Sequence, residues 1–315
     1  MRRWLTILLM LITLTSLVMY IRAADLTLAL AAVGSIGPKF LLLLGITLCA
    51  YVLGTLSWQC CLGSSAKKLS LFRLFIIRHT GETFGVFNPV SVVGGDWLKV
   101  KLLKQAGIAG GAAGSSVILS RAIMVISQLM LFTAVTLLAL RGKQLALPYG
   151  PYPRYLIAGV VLIGVAAMIL YFIGKKSGNR RLRETFETMK MQLRLHKILL
   201  LWSLLLATLH WVVGAMEFWL ILDMLDIHIS ALQAMMVDMG VILFKSAGAF
   251  IPGQLGVEEY GNKIMLLIIG VQGAGIWITA SILRRARQLF WVLLGLVIYF
   301  AFFKNAGGMR WKYCL

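Results

Sequence analysis

Six apolar runs, each long enough to cross a bilayer, constrain this chain more than any other feature. They fall at about 4–21, 38–57, 115–140, 154–174, 198–222 and 277–303. A transmembrane helix needs about 20 predominantly apolar residues, and 60% of the 315 residues are hydrophobic whereas 13% are charged. Unpaired backbone groups are not tolerated in lipid, so such runs fold as helices. The sequence predicts an all-α integral membrane protein, with residues 1–315 forming a single polytopic membrane domain.

The net charge of +20 is explained by membrane orientation rather than by nucleic-acid binding. Lysine and arginine lie in short loops beside the apolar runs, as the positive-inside rule describes, and no basic stripe is interleaved with aromatic residues. The most basic loop, 175–197, is therefore expected in the cytoplasm, together with both chain termini. We expect a bacterial cytoplasmic (inner) membrane protein. An alternative role for Arg180 to Lys197 is a basic surface helix that binds anionic lipid.

Two less apolar stretches, at about 69–105 and 230–270, interrupt the series of spans. Lysines flank the first stretch on both sides, so both of its ends are expected in the cytoplasm. The second must begin and end outside, or the basic C-terminus would lie on the wrong side. Each stretch contains proline and glycine, which break helices. Each is therefore predicted to be a re-entrant hairpin, one entering from each face, beside about six full transmembrane helices.

The two hairpins are related by one constant offset along the chain, the step from Phe87 to Phe250, which we call the repeat offset. At this offset Phe87 matches Phe250, and Pro89 matches Pro252. Asp96 matches Glu259. Arg121 likewise matches Arg284. Because the two halves have opposite predicted orientations, the pattern indicates an inverted-topology repeat, the architecture of many secondary transporters. We place the first half at 1–147 and the second at 148–315.

The hairpins and the helices that follow them hold the candidate substrate-binding residues. An ionisable side chain at bilayer depth costs roughly 2.5–3.5 kcal/mol on insertion scales, so it marks a functional site by default. A broken helix also leaves free N–H groups that favour an anion. We therefore predict a polar site near the midplane that holds a phosphate-bearing head group. Its residues are Glu82, Asn88, Pro89, Gly94, Gly95, Asp96, Lys99, Arg121, Pro252, Gly253, Gly256, Glu258, Glu259, Arg284 and Arg287.

Within this set, Asp96 and Glu259 are predicted to pair with Arg121 and Arg284, or to carry protons for coupling. The alternative is that the acid–arginine pairs only lock the two halves together. The repeat aligns Glu259 with Asp96 but Glu258 with a glycine, so function is expected to depend on Glu259, with Glu258 more dispensable.

His210 and Glu217 lie seven residues apart, on one face of a predicted helix. Interhelical hydrogen bonding is the favoured interpretation for both, and a catalytic or proton-relay pair is the alternative.

Catalytic motifs are missing from the sequence. There is no phosphate-binding G-x-x-x-x-G-K-[ST] loop for ATP, no H-E-x-x-H and no G-x-S-x-G. The four cysteines, Cys49, Cys60, Cys61 and Cys314, have no metal-ligand or redox spacing. We therefore predict no catalytic residue, no metal and no cofactor, and expect a protein that is not an enzyme.

Two motifs in the interrupted stretches resemble those of a known family. One is an Asn-Pro region followed by Gly-Gly-Asp-x-x-Arg, matched here by Asn88 and Pro89 and by the segment 94–99, with Lys99 where arginine is usual. The other is Pro-Gly-x-x-Gly-Val-x-Glu, matched by the segment 252–259. The chain thus resembles the lysylphosphatidylglycerol synthase transmembrane-domain (flippase-like) family, and within it the HpnL-like branch associated with hopanoid lipids.

The resemblance implies translocation or transport of a membrane lipid. Bifunctional relatives carry a soluble aminoacyltransferase domain after the membrane part, whereas this chain ends about a dozen residues past its last predicted helix, so we expect it to resemble only the membrane half. Lys99 keeps a positive charge but lacks the planar fork of arginine.

The expected function is a lipid transporter or flippase that acts without its own ATP hydrolysis. Its substrate would be a hopanoid, or a lipid with an anionic or lipid-linked head group, moved across or out of the cytoplasmic membrane. One alternative is an intramembrane enzyme acting on a lipid-linked phosphate or sugar. Another is a scaffold for lipid-synthesis enzymes, which would then be its partners.

Overall fold

The computed structural model describes residues 26–87, 91–142, 180–247 and 256–302, and these ranges are helical throughout apart from short turns. A 3₁₀ turn, Gly37–Lys39, joins the first two helices, and another, Gly63–Lys68, follows the second. The helices are α1 (Leu26–Ile36), α2 (Phe40–Cys61), α3 (Leu71–Phe87), α4 (Ser91–Gln105), α5 (Gly110–Arg141), α6 (Arg180–Leu195), α7 (Lys197–Met224), α8 (Ala231–Ala247), α9 (Val257–Ile268) and α10 (Ala274–Phe302). The predicted all-α class is confirmed.

Four helical segments of the described ranges are long and apolar enough to cross a membrane. They are Leu30–Cys61, Gly110–Arg141, Lys197–Met224 and Gly275–Phe302, with mean hydropathy from 1.4 to 2.3. Large apolar side chains along them point away from the protein, including Leu41, Leu201 and Val297. Such side chains are stable against lipid. The protein is therefore a multi-pass membrane protein, and four of the six predicted spans correspond to candidate membrane-spanning helices. The runs at 4–21 and 154–174 lie outside the described residues.

The first interrupted stretch folds into the helix pair α3–α4, whose backbones touch. A Cβ atom on Gly95 of α4 would lie 2.4 Å from the carbonyl oxygen of Gly81 and 3.3 Å from Cα of Gly85, both on α3. This close approach requires a residue without a side chain. Asn88 and Pro89 of the predicted hairpin lie outside the described residues.

Replacing Gly95 by leucine is expected to destabilise the protein by more than about 3 kcal/mol, because overpacking against backbone cannot be relieved by rotating a side chain. Thermal unfolding of the purified protein in detergent measures the effect. Gly45→Leu is the control, since a Cβ atom there meets no atom within 4 Å. Equal melting temperatures for the two variants would contradict the close contact of α3 and α4.

The second interrupted stretch folds into the pair α8–α9, which packs with larger side chains. Gly240 of α8 lies against the Met265 side chain, and Gly261 of α9 lies against Phe244. Gly256 has a φ of +79°, a left-handed conformation that favours glycine, and α9 starts directly after it. Pro252 and Gly253 lie outside the described residues.

The repeat offset found in the sequence also relates the backbone of the two halves. The helix ends Cys61 and Met224 are separated by this offset, as are Gln105 and Ile268. The turns that follow α4 and α9 carry glycines at matching positions with the same φ of +87°, Gly107 and Gly270. Their hydrogen bonds also correspond: Ile108 N donates to Leu103 O at 3.1 Å, and Val271 N donates to Leu266 O at 3.0 Å. The predicted boundary at 147/148 lies outside the described residues.

Helices α2 and α7, which correspond at this offset, cross in an antiparallel direction. Ser57 Oγ, late in α2, lies 3.0 Å from Ser203 Oγ, early in α7. Seven residues earlier in α2, the carbonyl oxygen of Ala50 is 2.6 Å from Nδ1 of His210, seven residues later in α7. Helix α3 packs on α10, and its counterpart α8 packs on α5. At this crossing the two halves therefore run in opposite directions, and each helix pair rests on the long helix of the other half.

The basic segment that begins at Arg180 forms helix α6, which packs on α5. Gly111 and Gly114 of α5 leave room for Thr188 and Thr185, whose hydroxyl oxygens lie about 3 Å from where Cβ atoms would stand. Lipid binding by α6 and its cytoplasmic location stay predictions.

Candidate functional site

Four of the predicted residues meet in one ionic network, the first charge cluster, formed by Glu82, Asp96, Lys99 and Arg121. Lys99 Nζ donates to Glu82 Oε1 at 2.6 Å and to Asp96 Oδ1 at 3.1 Å. Arg121 donates to both oxygens of Asp96, from Nη2 at 2.7 Å and from Nε at 3.2 Å. Such bidentate bonds are the strong, geometrically specific ones. The predicted pairing of Asp96 with Arg121 is confirmed.

The first charge cluster is open on one side. The Lys99 side chain is 7% exposed, whereas the side chains of Glu82 and Arg121 are 45% and 39% exposed. Gly81 and Gly95 make room beside them, since a Cβ atom on Gly81 would lie 2.4 Å from Cγ of Lys99. Gly94 is on the same helix, directly before Gly95. In the described part of the structure, a carboxylate and a guanidinium of this cluster are therefore accessible without unpacking the helices.

A second ionic network, the second charge cluster, surrounds the arginines of α10. Its members are Glu217, Asp238, Lys245, Glu258, Glu259, Arg284, Arg285 and Arg287. Arg284 donates to Asp238 at 2.6 Å and lies 3.5 Å from Glu258 Oε1. Arg287 Nε is 2.6 Å from Glu217 Oε1. The cluster joins α7, α8, α9 and α10.

This second cluster is closed at its centre. The side chains of Arg284 and Glu258 are 6% and 5% exposed. Nη1 of Arg284, Nη1 of Arg285 and Oε2 of Glu259 are buried and have no hydrogen-bond partner among the described residues. A buried polar atom without a partner costs about 1–3 kcal/mol. The buried centre of the second cluster therefore holds polar atoms that an anion or water could satisfy.

The predicted pairing of Glu259 with Arg284 is wrong. Glu259 bonds to Arg285, while Arg284 is shared by Asp238, Glu258 and Glu217. Neighbouring residues on a helix point about 100° apart, so Glu258 and Glu259 cannot both face one arginine.

Glu258, which the sequence suggested was the more dispensable acid, makes more contacts in the structure. Its carboxylate accepts from Lys245 Nζ at 3.1 Å and from Gln288 Nε2 at 3.0 Å, besides its contact with Arg284. The functional ranking of the two glutamates stays a prediction.

Aromatic and polar side chains connect the two clusters. Arg287 Nη1 donates to Thr47 Oγ1 at 3.3 Å, and Tyr51 lies one helical turn further along α2. The Tyr51 ring contacts the Trp291 ring, with centroids 5.2 Å apart, and the guanidinium carbon of Arg78 lies 5.9 Å from the Tyr51 centroid. The two networks are thus neighbours across the contact of α3 with α10.

His210 and Glu217 each bond to a different helix. His210 is hydrogen-bonded to the Ala50 carbonyl oxygen on α2, and Glu217 forms an ion pair with Arg287 on α10. Interhelical hydrogen bonding, the favoured interpretation, is confirmed for His210, and for Glu217 the interhelical contact is an ion pair.

Several members of the site were not in the predicted substrate-binding set. They are Tyr51, Arg78, Asp238, Lys245 and Arg285. Lys245 stands one repeat offset after Glu82, so the repeat contained a signal for it. The residue one repeat offset before Asp238 is Phe75, which carries no charge, so the repeat contained no signal for Asp238.

The family described as "Lysylphosphatidylglycerol synthase TM region" matches residues 4–295 of this chain. The chain belongs to this family. Membership makes it a membrane protein linked to lipid synthesis or transport. No curated protein matches the chain significantly. No solved structure does so either.

In this member of the lysylphosphatidylglycerol synthase TM region family, the two sequence motifs lie in the two charge clusters. The segment ending at Lys99 supplies one carboxylate and one cation of the first cluster, and the segment ending at Glu259 supplies two carboxylates of the second. Asn88, Pro89, Pro252 and Gly253, which complete the motifs, lie outside the described residues.

Proposed function

We propose that this protein is a lipid transporter that passes a polar head group along the first charge cluster while the lipid tails stay in the bilayer. The observation that carries the proposal is the difference in access between the clusters. The first exposes a carboxylate and a guanidinium, whereas the arginine and glutamate at the centre of the second are buried. Two related sites, one open and one closed, suit a protein that alternates access.

The opposed directions of α2 and α7, and the matching turns at Gly107 and Gly270, support an inverted-topology repeat. The helix pairs α3–α4 and α8–α9 suit re-entrant hairpins that enter from opposite faces. Arginines in α5 and α10 would be expensive in lipid, and both helices turn them towards carboxylates. We place the protein in the cytoplasmic membrane of a bacterium, with both termini in the cytoplasm.

The competing role for these acid–arginine pairs is to lock helices together within one half, because all members of each cluster lie in the same half of the chain. It suits the second cluster, where Glu217, Asp238 and Glu258 converge on buried arginines from three helices. It suits the first less well, because Glu82 and Arg121 are exposed by more than a third. Locking does not require a carboxylate and a guanidinium to stay accessible, so their arrangement is better explained by binding.

The proposal is tested in liposomes that contain the purified protein and acyl-labelled lipids of different head groups: phospholipid, hopanoid and sugar-linked. We expect faster exchange of at least one class between leaflets than in protein-free liposomes. No acceleration for any head group would overturn transport. Lys190→Gln is the matched control, because its pair with Glu187 is exposed and lies in neither cluster, and it should transport at the wild-type rate.

We also propose that transport requires no chemical change in the lipid. Mass spectrometry of the lipids recovered from these liposomes checks this, and the expected result is unchanged masses. A stoichiometric product with an altered head group would instead support an intramembrane enzyme. Retention of a lipid-synthesis enzyme during purification, without lipid exchange, would support a scaffold.

A further inference from the structure

Arg78 on α3 differs from the other basic side chains that face the two clusters. Among the described residues, each of the others has a carboxylate oxygen within 4.0 Å: Lys99, Arg121, Lys245, Arg284, Arg285 and Arg287. Arg78 instead donates from Nη1 to the carbonyl oxygen of Tyr51, at 3.1 Å. No ion pair within the described part of the chain neutralises its charge.

Arg78 borders a small cavity beside the first charge cluster. Tyr51, Phe75, Arg78, His79 and Glu82 line it, and its volume is about 10 Å³, which is room for about one water molecule. Arg78 is only partly buried, so part of its side chain stays accessible beside the cavity. Glu82, the carboxylate that lines the cavity, pairs with Lys99 at 2.6 Å instead of with Arg78.

Helix α2 leaves room for this guanidinium at one position. A Cβ atom on Gly54 would lie 2.6 Å from Nη2 and 2.9 Å from Cζ of Arg78. The glycine therefore lets the charged end of Arg78 lie against the backbone of α2, next to Tyr51. An alanine at this position would push the flexible guanidinium aside without moving any backbone.

The balance of charged side chains around this cavity indicates the charge of the ligand that it accepts. Around the first cluster, Arg78, Lys99 and Arg121 face two carboxylates, those of Glu82 and Asp96, which leaves one positive charge. The second cluster has equal numbers of cations and carboxylates among the described residues. One unit of negative charge with several acceptor oxygens is what a phosphodiester carries, and guanidinium groups match its geometry.

We propose that Arg78 binds the phosphodiester of a lipid head group as it enters beside the first charge cluster. This rests on the proposed transport function and names the chemistry of its substrate. Arg78 supplies the charge that recognises the phosphate, and Gly54 positions it. The cluster formed by Glu82, Asp96, Lys99 and Arg121 then lies next along the path of the head group.

Binding is measured on the full chain purified in detergent, with dihexanoyl phosphatidylglycerol as the probe and intrinsic tryptophan fluorescence as the readout. We expect Arg78→Gln to weaken binding at least tenfold, and Arg78→Lys to weaken it less, because lysine keeps the charge but lacks the fork. Gly54→Ala should also weaken binding, with little change in melting temperature. Gly45→Ala, on the same helix with no atom near its Cβ position, should bind like the wild type.

Other probes identify which part of the ligand is recognised. Dihexanoyl phosphatidylcholine, which has the same phosphodiester, should show the same dependence on Arg78, and a phosphate-free alkyl glycoside should show none. Inorganic phosphate should compete only weakly. Competition as strong as that of the lipid would overturn the lipid assignment. Wild-type affinity in folded Arg78→Gln protein would overturn the role of Arg78.

The binding assay does not depend on transport. If Arg78-dependent binding is found but no lipid exchanges between leaflets, the transport proposal fails and the role of Arg78 stands. If exchange occurs and Arg78→Gln exchanges phospholipid at the wild-type rate with wild-type affinity, transport stands and the role of Arg78 fails.

Discussion

Arg284→Gln is expected to destabilise the protein by about 3–5 kcal/mol, the usual cost of breaking a buried ion pair by removing one partner. Arg284 is 5% exposed and serves three carboxylates, those of Asp238, Glu258 and Glu217, at 2.6, 3.5 and 3.9 Å. Without its guanidinium these acids repel each other in a region that water does not reach. Thermal unfolding in detergent measures the loss, and Arg194→Gln, on the exposed side of α6, is the control.

A compensating variant separates this charge effect from a packing effect. Removing both the guanidinium and its nearest carboxylate, with Arg284→Met and Asp238→Leu together, should recover part of the lost stability, because apolar replacements of a buried pair are often tolerated. A single Arg284→Gln variant that melts with the control would show that the second cluster does not hold α7, α8, α9 and α10 together.

Asp96→Asn is expected to reduce lipid exchange at least tenfold while changing the melting temperature little. Asp96 binds Arg121 through both oxygens and also accepts from Lys99, so its loss leaves these two cations with Glu82 as their one carboxylate partner among the described residues. These cations then hold a phosphate-bearing head group too tightly to release it, or rearrange around it. The folded state is less affected, since asparagine keeps the shape of the aspartate side chain and its amide oxygen still accepts a hydrogen bond from Arg121.

A charge swap decides between transport and locking for this pair. In the double variant Asp96→Arg with Arg121→Asp, the ion pair can form in reverse. If the pair only locks helices, the swap should restore exchange to near the wild-type rate. If the pair handles the head group, exchange should stay at least tenfold reduced, and we expect this second result. Asp96→Glu, which keeps the charge, should retain more activity than Asp96→Asn.

The sequence predicted the parts of this fold that depend on local composition. The long apolar runs correspond to four described spans, and glycines at matching positions correspond to the repeated turns at Gly107 and Gly270. The pairing of Asp96 with Arg121 followed from placing both near one hairpin. These features are set by residues close together in sequence, or by a repeat that copies them.

The remaining contacts depend on how helices rotate and cross, which periodicity does not determine. Whether Glu258 or Glu259 faces Arg284 depends on a rotation of about 100° between neighbouring residues. Arg78 of α3 meets Tyr51 of α2, and His79 meets Trp291 across 212 residues. Such contacts form only when α3 has packed on α2 and α10, so no local pattern signals them.

The crossing of α2 with α7 has the form of a contact between two copies of one subunit about a twofold axis. Ser57 and Ser203 meet near one end of the crossing. Moving each serine by one repeat offset into the other half gives the pair Phe40 and Leu220. Both pack in one apolar cluster near the other end of the crossing. Such an isologous contact uses the same patch twice. Each residue of α2 therefore has an equivalent residue in α7, one repeat offset later. A change that compensates for a substitution in α2 is best sought at the residue that contacts this equivalent.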